Sequence, residues 1–352
     1  MLLPHKHNPK RMRWSFIIAL LLILLAIIIC LSASAGSVNV SPWTTLKIVL
    51  NQWLHIPITL TCDPSDIIII SDIRIPRILL AAIAGIALAS SGTVFQSLLR
   101  NPLADPFVIG VSSGAAVGAV IALSLSTSYT FLGNWSIPLF SLVGGLATIL
   151  VILFIAGNKS RFSSQTLLLA GVIMNSFFSA IILFLASVLD ASRIQSYMFW
   201  MIGHIEVTDT HLLFVGSLYV FIGFLVLWLF SKSLNLLSLG SDTATQLGVN
   251  VATVQRITFV AASLLASAVV SMTGIIGFVG LVIPHIIRSW VGSDHRILLP
   301  ASALGGAIFL IISDTLARTL MSPTELPVGV ITALLGAPFF IYILRKNYWK
   351  RI

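Results

Sequence analysis

The sequence predicts an all-α membrane protein, a polytopic bundle of about ten spanning helices, and three observations carry that prediction. The 352 residues are 57% hydrophobic and only 9% charged, with a mean hydropathy of +1.04, too few polar side chains to cover a water-soluble globule of this size. Apolar runs close to the roughly 20 residues needed to cross a hydrocarbon core of about 30 Å recur along nearly the whole chain. Lysines and arginines also divide unevenly between alternate connecting segments, as orientation in a bilayer requires.

Taking the elements in order, residues 1–13 form a basic tail and 14–34 the first span. Its apolar core is longer than that of a cleaved leader, and Ala33-Ser34-Ala35 is a chance-level cleavage match, so the reading is an uncleaved span. Residues 35–73 are the longest polar stretch. Pro42, Pro57 and Pro64 interrupt it, and Trp43, Trp53 and His55 suit a membrane interface, so it reads as an outer loop or partial re-entrant segment rather than a domain. The isoleucine run at 67–70 is too short to span and too apolar for open water, which predicts packing against neighbouring helices.

Spans follow at 78–99, 107–125, 137–156 and 166–189. Small residues dominate the first two: Ala81, Ala82, Ala84, Gly85, Ala87 and Ala89, then Gly110, Gly114 and Gly118 at intervals of four. That spacing predicts close helix packing and speaks to compactness before it speaks to function. A sixth span, 211–230, leads into a polar segment at 232–256. The runs 257–272 and 278–290 are short because Gly274, Gly277 and Gly280 interrupt them before Pro284, so a broken or short helix is expected there. Spans 298–320 and 328–344 complete a single membrane domain covering 1–352.

Ten spans place both chain ends on one side. Of the 20 Lys and Arg, only Lys47, Arg74, Arg77, Arg193 and Arg318 then lie outside, while Asp63, Asp66, Asp72, Asp190, Glu206, Asp209, Asp314 and Glu325 gather there. The positive-inside rule therefore predicts cytoplasmic termini in the cytoplasmic (inner) membrane, and merging the seventh and eighth spans would place the two termini on opposite sides. The net charge of +9 is scattered over short loops and two tails, which argues against a nucleic-acid-binding face. Cys30 and Cys62 could pair only if the outer loop folded back to the membrane edge, so both are expected as unpaired packing thiols.

Energisation is constrained by what is missing. No G-x-x-x-x-G-K-[ST] phosphate loop occurs, and Gly157-Asn158-Lys159-Ser160 lacks its glycine spacing. An ion-driven carrier is expected to hold ionisable groups deep in its spans, yet nearly all sit at loops or helix ends; Asp314 and Arg318, one helical turn apart, come closest to an exception and read equally as a structural pair.

Six blocks occur in order: RIPR at Arg74–Arg77, RNPLADP at Arg100–Pro106, LLLAG at Leu167–Gly171, GFVGLVIPHIIR at Gly277–Arg288, DHRILLP at Asp294–Pro300, and ELPVG with GAPFF near the C-terminus. Together they resemble the FecCD-type permeases of ATP-binding-cassette importers for iron chelates, haem and vitamin B12. The resemblance spans about residues 74–344. It implies a vitamin B12 permease-like ten-helix subunit that pairs with a second copy of itself around a central pathway. Two ATP-binding-cassette ATPases lie below it in the family and a periplasmic or lipid-anchored substrate-binding protein docks outside.

The resemblance also assigns roles. Gly240, Asp242, Thr245, Gln246, Leu247, Gly248 and Val249 occupy the place where similar permeases receive force from the ATPase. Ser241 or Asp242 can cap a short helix that Gly248 ends, with a second helix starting near Val251; the alternative is an ordinary amphipathic surface helix. Arg74, Arg77 and Arg318 match positions that contact acidic residues of the binding protein, a role suited to the planar guanidinium; interfacial snorkelling, or pairing with Asp72 and Asp314, is the alternative. Ser163, Ser164 and Gln165 lie where similar permeases narrow the pathway at its cytoplasmic gate, and they can equally cap a helix. Asn101, Pro102, Asp105 and Pro106 read as a rigid structural inner turn, touching the ATPase in one version of that reading.

His285 has no nearby Cys or second His and is expected as a hydrogen-bonded histidine rather than a metal or haem ligand, and His204 with Glu206 is left unassigned. The expectation is a transport subunit with no catalytic residue, metal or cofactor of its own, ATP and Mg being bound by the partner ATPase. The cargo is an iron chelate, siderophore or haem, with cobalamin as the alternative. A stand-alone secondary carrier is the competing class, and an intramembrane enzyme would need a nucleophile–base pair or clustered ligands that the sequence does not supply.

Overall fold

The computed structural model describes residues 9–36, 38–53, 55–59, 62–125, 133–156, 164–188, 191–207 and 209–349, and among these it contains helices and no strand. In chain order the helices are α1 (Pro9–Ser34), α2 (Pro42–Gln52), α3 (Pro64–Ile68), α4 (Ile75–Leu98), α5 (Val111–Ser124), α6 (Ser136–Ala156), α7 (Ser164–Val188), α8 (Ala191–Ile202), α9 (Thr210–Leu229), α10 (Ser231–Ser238), α11 (Ser241–Gln246), α12 (Val251–Thr273), α13 (Val279–Val291), α14 (His295–Thr319) and α15 (Val328–Trp349). Seven helical segments are long and apolar enough to cross a membrane, and α5, α13 and Val328–Ile343 of α15 are shorter apolar helices. Each falls on one of the ten predicted spans, which makes this a multi-pass membrane protein.

Local chemistry sets the starts. Ser41 Oγ accepts from Thr44 N at 3.1 Å, ahead of Pro42, and Asp63 Oδ1 accepts from Ser65 N at 2.9 Å, ahead of Pro64. Asp209, Asn250 and Asp294 accept in the same way at the heads of α9, α12 and α14. These side chains satisfy amides that the first turn leaves unpaired.

The outer segment at 35–73 is therefore more ordered than the expected loop: it holds α2, and α3 runs through one π-helical turn (Ile69–Arg74) into α4. The isoleucine run packs as expected, with Ile70 fully buried. Helix α8 was not anticipated, because its apolar face alternates with Ser, Arg and Gln and never builds a long apolar run. Helix α5 starts at Val111 rather than 107, since Asn101 and Asp105 first bend the chain through turns that end at Gly110, whose φ of +85° suits glycine. The break after α12 and the short α13 match the expectation from the glycines.

Helix α4 lies at the centre, packed along α14, α12 and α13. At its crossing with α14 the backbones almost touch: a Cβ on Gly85 would come within 2.2 Å of the Gly306 carbonyl oxygen, and the reverse holds equally. Gly114 and Gly118 of α5 meet α6 at Gly144 and Phe140 in the same fashion. Small residues maximise contact where hydrocarbon supplies no hydrophobic drive between helices. By contrast α1 rests on α14 and leaves Phe16, Ile23 and Leu31 facing outward, as a lipid-contacting helix does. Cys30 and Cys62 are free thiols.

Candidate functional site

At one end of the bundle, the end expected to face inward, α10, α11 and the turn to α12 project. Asp242, Thr245, Gln246 and Gly248 are exposed, Leu247 is 57% exposed, and Gly240 and Val249 are half-buried. Ala244 points inward and is fully buried, anchoring α11. The punctuation follows the sequence at Gly248, where φ is +85°, and at Val251, where α12 begins. One detail is corrected: Gly240 at φ +127° occupies the cap position of α11 and no side chain caps it, so Ser241 and Asp242 lie inside the helix. Ser241 is instead engaged from outside, its Oγ accepting from Arg100 Nη2 at 2.9 Å.

Two braces hold this projection against the bundle. Arg100, at φ +48°, also donates to Leu237 O at 3.3 Å, tying the 99–110 turn to α10. Asn235 of α10 donates to Asp294 Oδ1 at 2.7 Å and accepts from His295 N at 2.8 Å, tying α10 to the head of α14. Arg296 beside it, together with Asn235, holds the Asp294 carboxyl down at about 2. Sequence reasoning did not single out Arg100 or Asn235, although Arg100 opens one of the six blocks.

The turn at 101–107 is fixed by side-chain hydrogen bonds. Asn101 Oδ1 accepts from Leu103 N at 3.0 Å and Asp105 Oδ1 from Phe107 N at 2.9 Å, with Pro102 and Pro106 between them. Asp105 is 5% exposed, and burial pushes its carboxyl up to about 6. At the head of α7, Ser164 is the first helical residue and Gln165 is exposed, while Ser163 lies outside the described residues.

At the opposite end of the bundle, the end expected to face outward, Arg74, Arg77 and Arg318 are engaged within the fold. Arg74 is 5% exposed, its Nη1 donating to Ala33 O at 2.8 Å and Ser34 O at 3.2 Å and its Nη2 to Val38 O. Arg318 is equally buried, donating to Ser32 O and Ala35 O and pairing with Asp314 at 3.1 Å. Together they satisfy the orphan carbonyls at the C-terminal end of α1. Arg77 joins Asp314 at 2.9 Å to Glu325 at 2.7 Å, and Glu325 is the half-open member of the group. In this fold Arg74 and Arg318 are held by backbone carbonyls and, for Arg318, by Asp314, and Arg77 and Arg318 form the Asp314 pairing named as the alternative to docking.

Beside Glu325 a cavity of about 680 Å³ is lined by Trp200, His204, Glu206, Asp209 and Met272 among others. His204 and Glu206 are 3.6 Å apart, and Asp209 also accepts from Trp135 Nε1 at 3.0 Å. His285 Nδ1 is buried with no hydrogen-bond partner among the described residues. Among the described residues no three His, Cys, Asp or Glu cluster as metal ligands.

Comparison with known proteins gives a consistent picture. The model of the FecCD transport family matches residues 23–346. The chain is 38% identical to the hemin transport system permease protein HmuU of Yersinia pestis, over 97% of this chain and 98% of that one. It is 41% identical to the cobalamin import system permease protein BtuC of Halobacterium salinarum, over 87% and 80% respectively. Among solved structures, an inward-facing conformation of a metal-chelate type ABC transporter superposes with a TM-score of 0.79 at 31% identity, covering 95% of this chain and 99% of that one.

Proposed function

The chain belongs to the FecCD transport family, and from that membership we propose that it is the permease subunit of an ATP-driven importer carrying a metal chelate into the cell. The family match over residues 23–346 carries this reading. The cargo we favour is an iron chelate, siderophore or haem. Cobalamin is the second reading, favoured by the 41% identity to a cobalamin permease.

In this reading the chain works as a homodimer with two ATPase subunits, which bind ATP and Mg, and with a binding protein outside; it holds no cofactor itself. Both termini lie in the cytoplasm, in keeping with the positive-inside distribution. The exposed Asp242–Gly248 projection seats on the ATPase, and the braces at Arg100 and Asn235 pass its displacement to the 99–110 turn and to α14. Gln165 with Ser163 and Ser164 closes the cytoplasmic gate. On the outer face Glu325, held by Arg77, is the reachable contact for the binding protein, and Arg74, Arg77 and Arg318 shape that face from beneath by fixing Glu325 and the end of α1.

The test is uptake of labelled ferric siderophore, haem and cobalamin in cells lacking the gene, with and without the gene restored. Restored uptake of one class names the cargo, and restoration of none removes the metal-chelate reading. Uptake that persists after deletion of every candidate ATPase identifies a secondary carrier instead.

A further inference from the structure

Between α9 and α12 runs a groove of about 460 Å³, walled by Tyr219, Gly223 and Val226 on one side and by Arg256, Val260 and Leu264 on the other. The residues recur at the spacing of one helix face, so two apolar stripes oppose each other across it. Gly223 deepens the groove: it presents no side chain, and a Cβ there would strike Leu265 at 2.7 Å. Ile222 lines the groove as well, and the outward face beside it carries Leu218 and Leu225, exposed apolar side chains that belong in hydrocarbon.

The groove has a direction and a length. Helices α9 and α12 run opposite ways and are joined through α10 and α11, so Val226 and Arg256 mark the end near that projection while Tyr219 and Leu264 mark mid-membrane. From Arg256 to Leu264 the helix rises about 12 Å, close to the depth of one leaflet of a core about 30 Å thick. A spanning helix of a partner protein would need a groove of full membrane depth. Water is excluded, because the walls are apolar almost throughout and offer it almost no polar partner.

We propose that this groove binds one acyl chain of an anionic phospholipid of the cytoplasmic leaflet, with the lipid phosphate held by Arg256. The basic group stands at the level of the headgroups, and the apolar walls run down from it over the length that a chain occupies. Arginine suits this end because its fork matches phosphate oxygens. The leaflet assignment rests on the orientation proposed above, which thiol labelling of Leu247→Cys in sealed cells reads independently, in a background with Cys30 and Cys62 changed to Ser.

The test is native mass spectrometry of the full chain, stripped of lipid in detergent and titrated with phosphatidylglycerol or phosphatidylcholine of the same acyl composition. The unaltered chain is expected to retain one phosphatidylglycerol about fivefold more tightly than phosphatidylcholine. Arg256→Gln should erase that preference while leaving residual binding of both. Val260→Trp, which fills the groove, should weaken phosphatidylglycerol retention at least tenfold, and Leu218→Trp on the open lipid face should leave it unchanged. Equal retention of the two lipids by the unaltered chain, or full retention by a monodisperse Val260→Trp protein, overturns the proposal; if Val260→Trp fails to fold, the Arg256→Gln comparison decides it alone.

Discussion

Asp314 and Asp105 are buried aspartates at opposite ends of the bundle, 1% and 5% exposed, and the protein stabilises them differently. Asp314 sits between two guanidiniums, with Arg77 at 2.9 Å and Arg318 at 3.1 Å. Asp105 has the Phe107 amide at 2.9 Å, and no cation is among the groups that shift its carboxyl. A carboxylate removed from water must be compensated by charge or take up a proton. One end of this molecule uses the first solution and the other leans towards the second, so the arginines around Asp314 are engaged within the fold while the Asp242–Gly248 projection is largely exposed.

The largest stability effect is expected at the paired site. Asp314→Ala would leave Arg77 with Glu325 alone and Arg318 with backbone carbonyls and the Ser32 hydroxyl, stranding charge in a buried setting at a cost of about 3–5 kcal/mol. Thermal unfolding of the detergent-solubilised chain measures this directly. A loss below about 1 kcal/mol would mean that the arginines do not depend on Asp314, and the contrast between the two ends would collapse.

Asp105→Asn should act in the opposite direction. Burial raises the folded-state carboxyl from 3.8 to about 6, so between those values the folded protein binds the extra proton. Stability attributable to this group is therefore fullest below about pH 4 and falls as pH rises to about 6. Asparagine keeps the acceptor for the Phe107 amide and removes the ionisation, so near pH 7 it should stabilise on the order of 2 kcal/mol, with little difference at pH 4. Unfolding temperatures of the two proteins across that range give the answer, and parallel curves would show that Asp105 is compensated after all.

The same contrast explains what the sequence could reveal. Spans were legible because a run of about 20 apolar residues is a one-dimensional signal. The inner projection was legible because Gly248 and Val251 mark their own backbone breaks. Arg318 and Asp314 could be paired on paper as helical neighbours, but Arg77 is 237 positions away from Asp314 and only the fold brings them together. Arg74 was harder still: its partners are carbonyls of residues 33, 34 and 38, and a carbonyl has no sequence signature. Helix α8 escaped because its polar residues interrupt the apolar run.

The smallest stability effect is expected at the exposed end, where the comparison is sharpest. Leu247 is 57% exposed at the tip of the inner projection and contributes little to the core, so Leu247→Ala should change unfolding free energy by no more than about 0.5 kcal/mol. If the projection seats in an ATPase cleft, the same change removes an apolar anchor at the centre of that contact and should lower ATP-driven uptake several-fold, the scale of about 1 kcal/mol or more for an interface hot spot. A protein of unchanged stability and reduced uptake would locate the function at this exposed tip. Unchanged uptake would mean that Leu247 is only a lipid-surface residue, and that force enters the bundle elsewhere than at this tip.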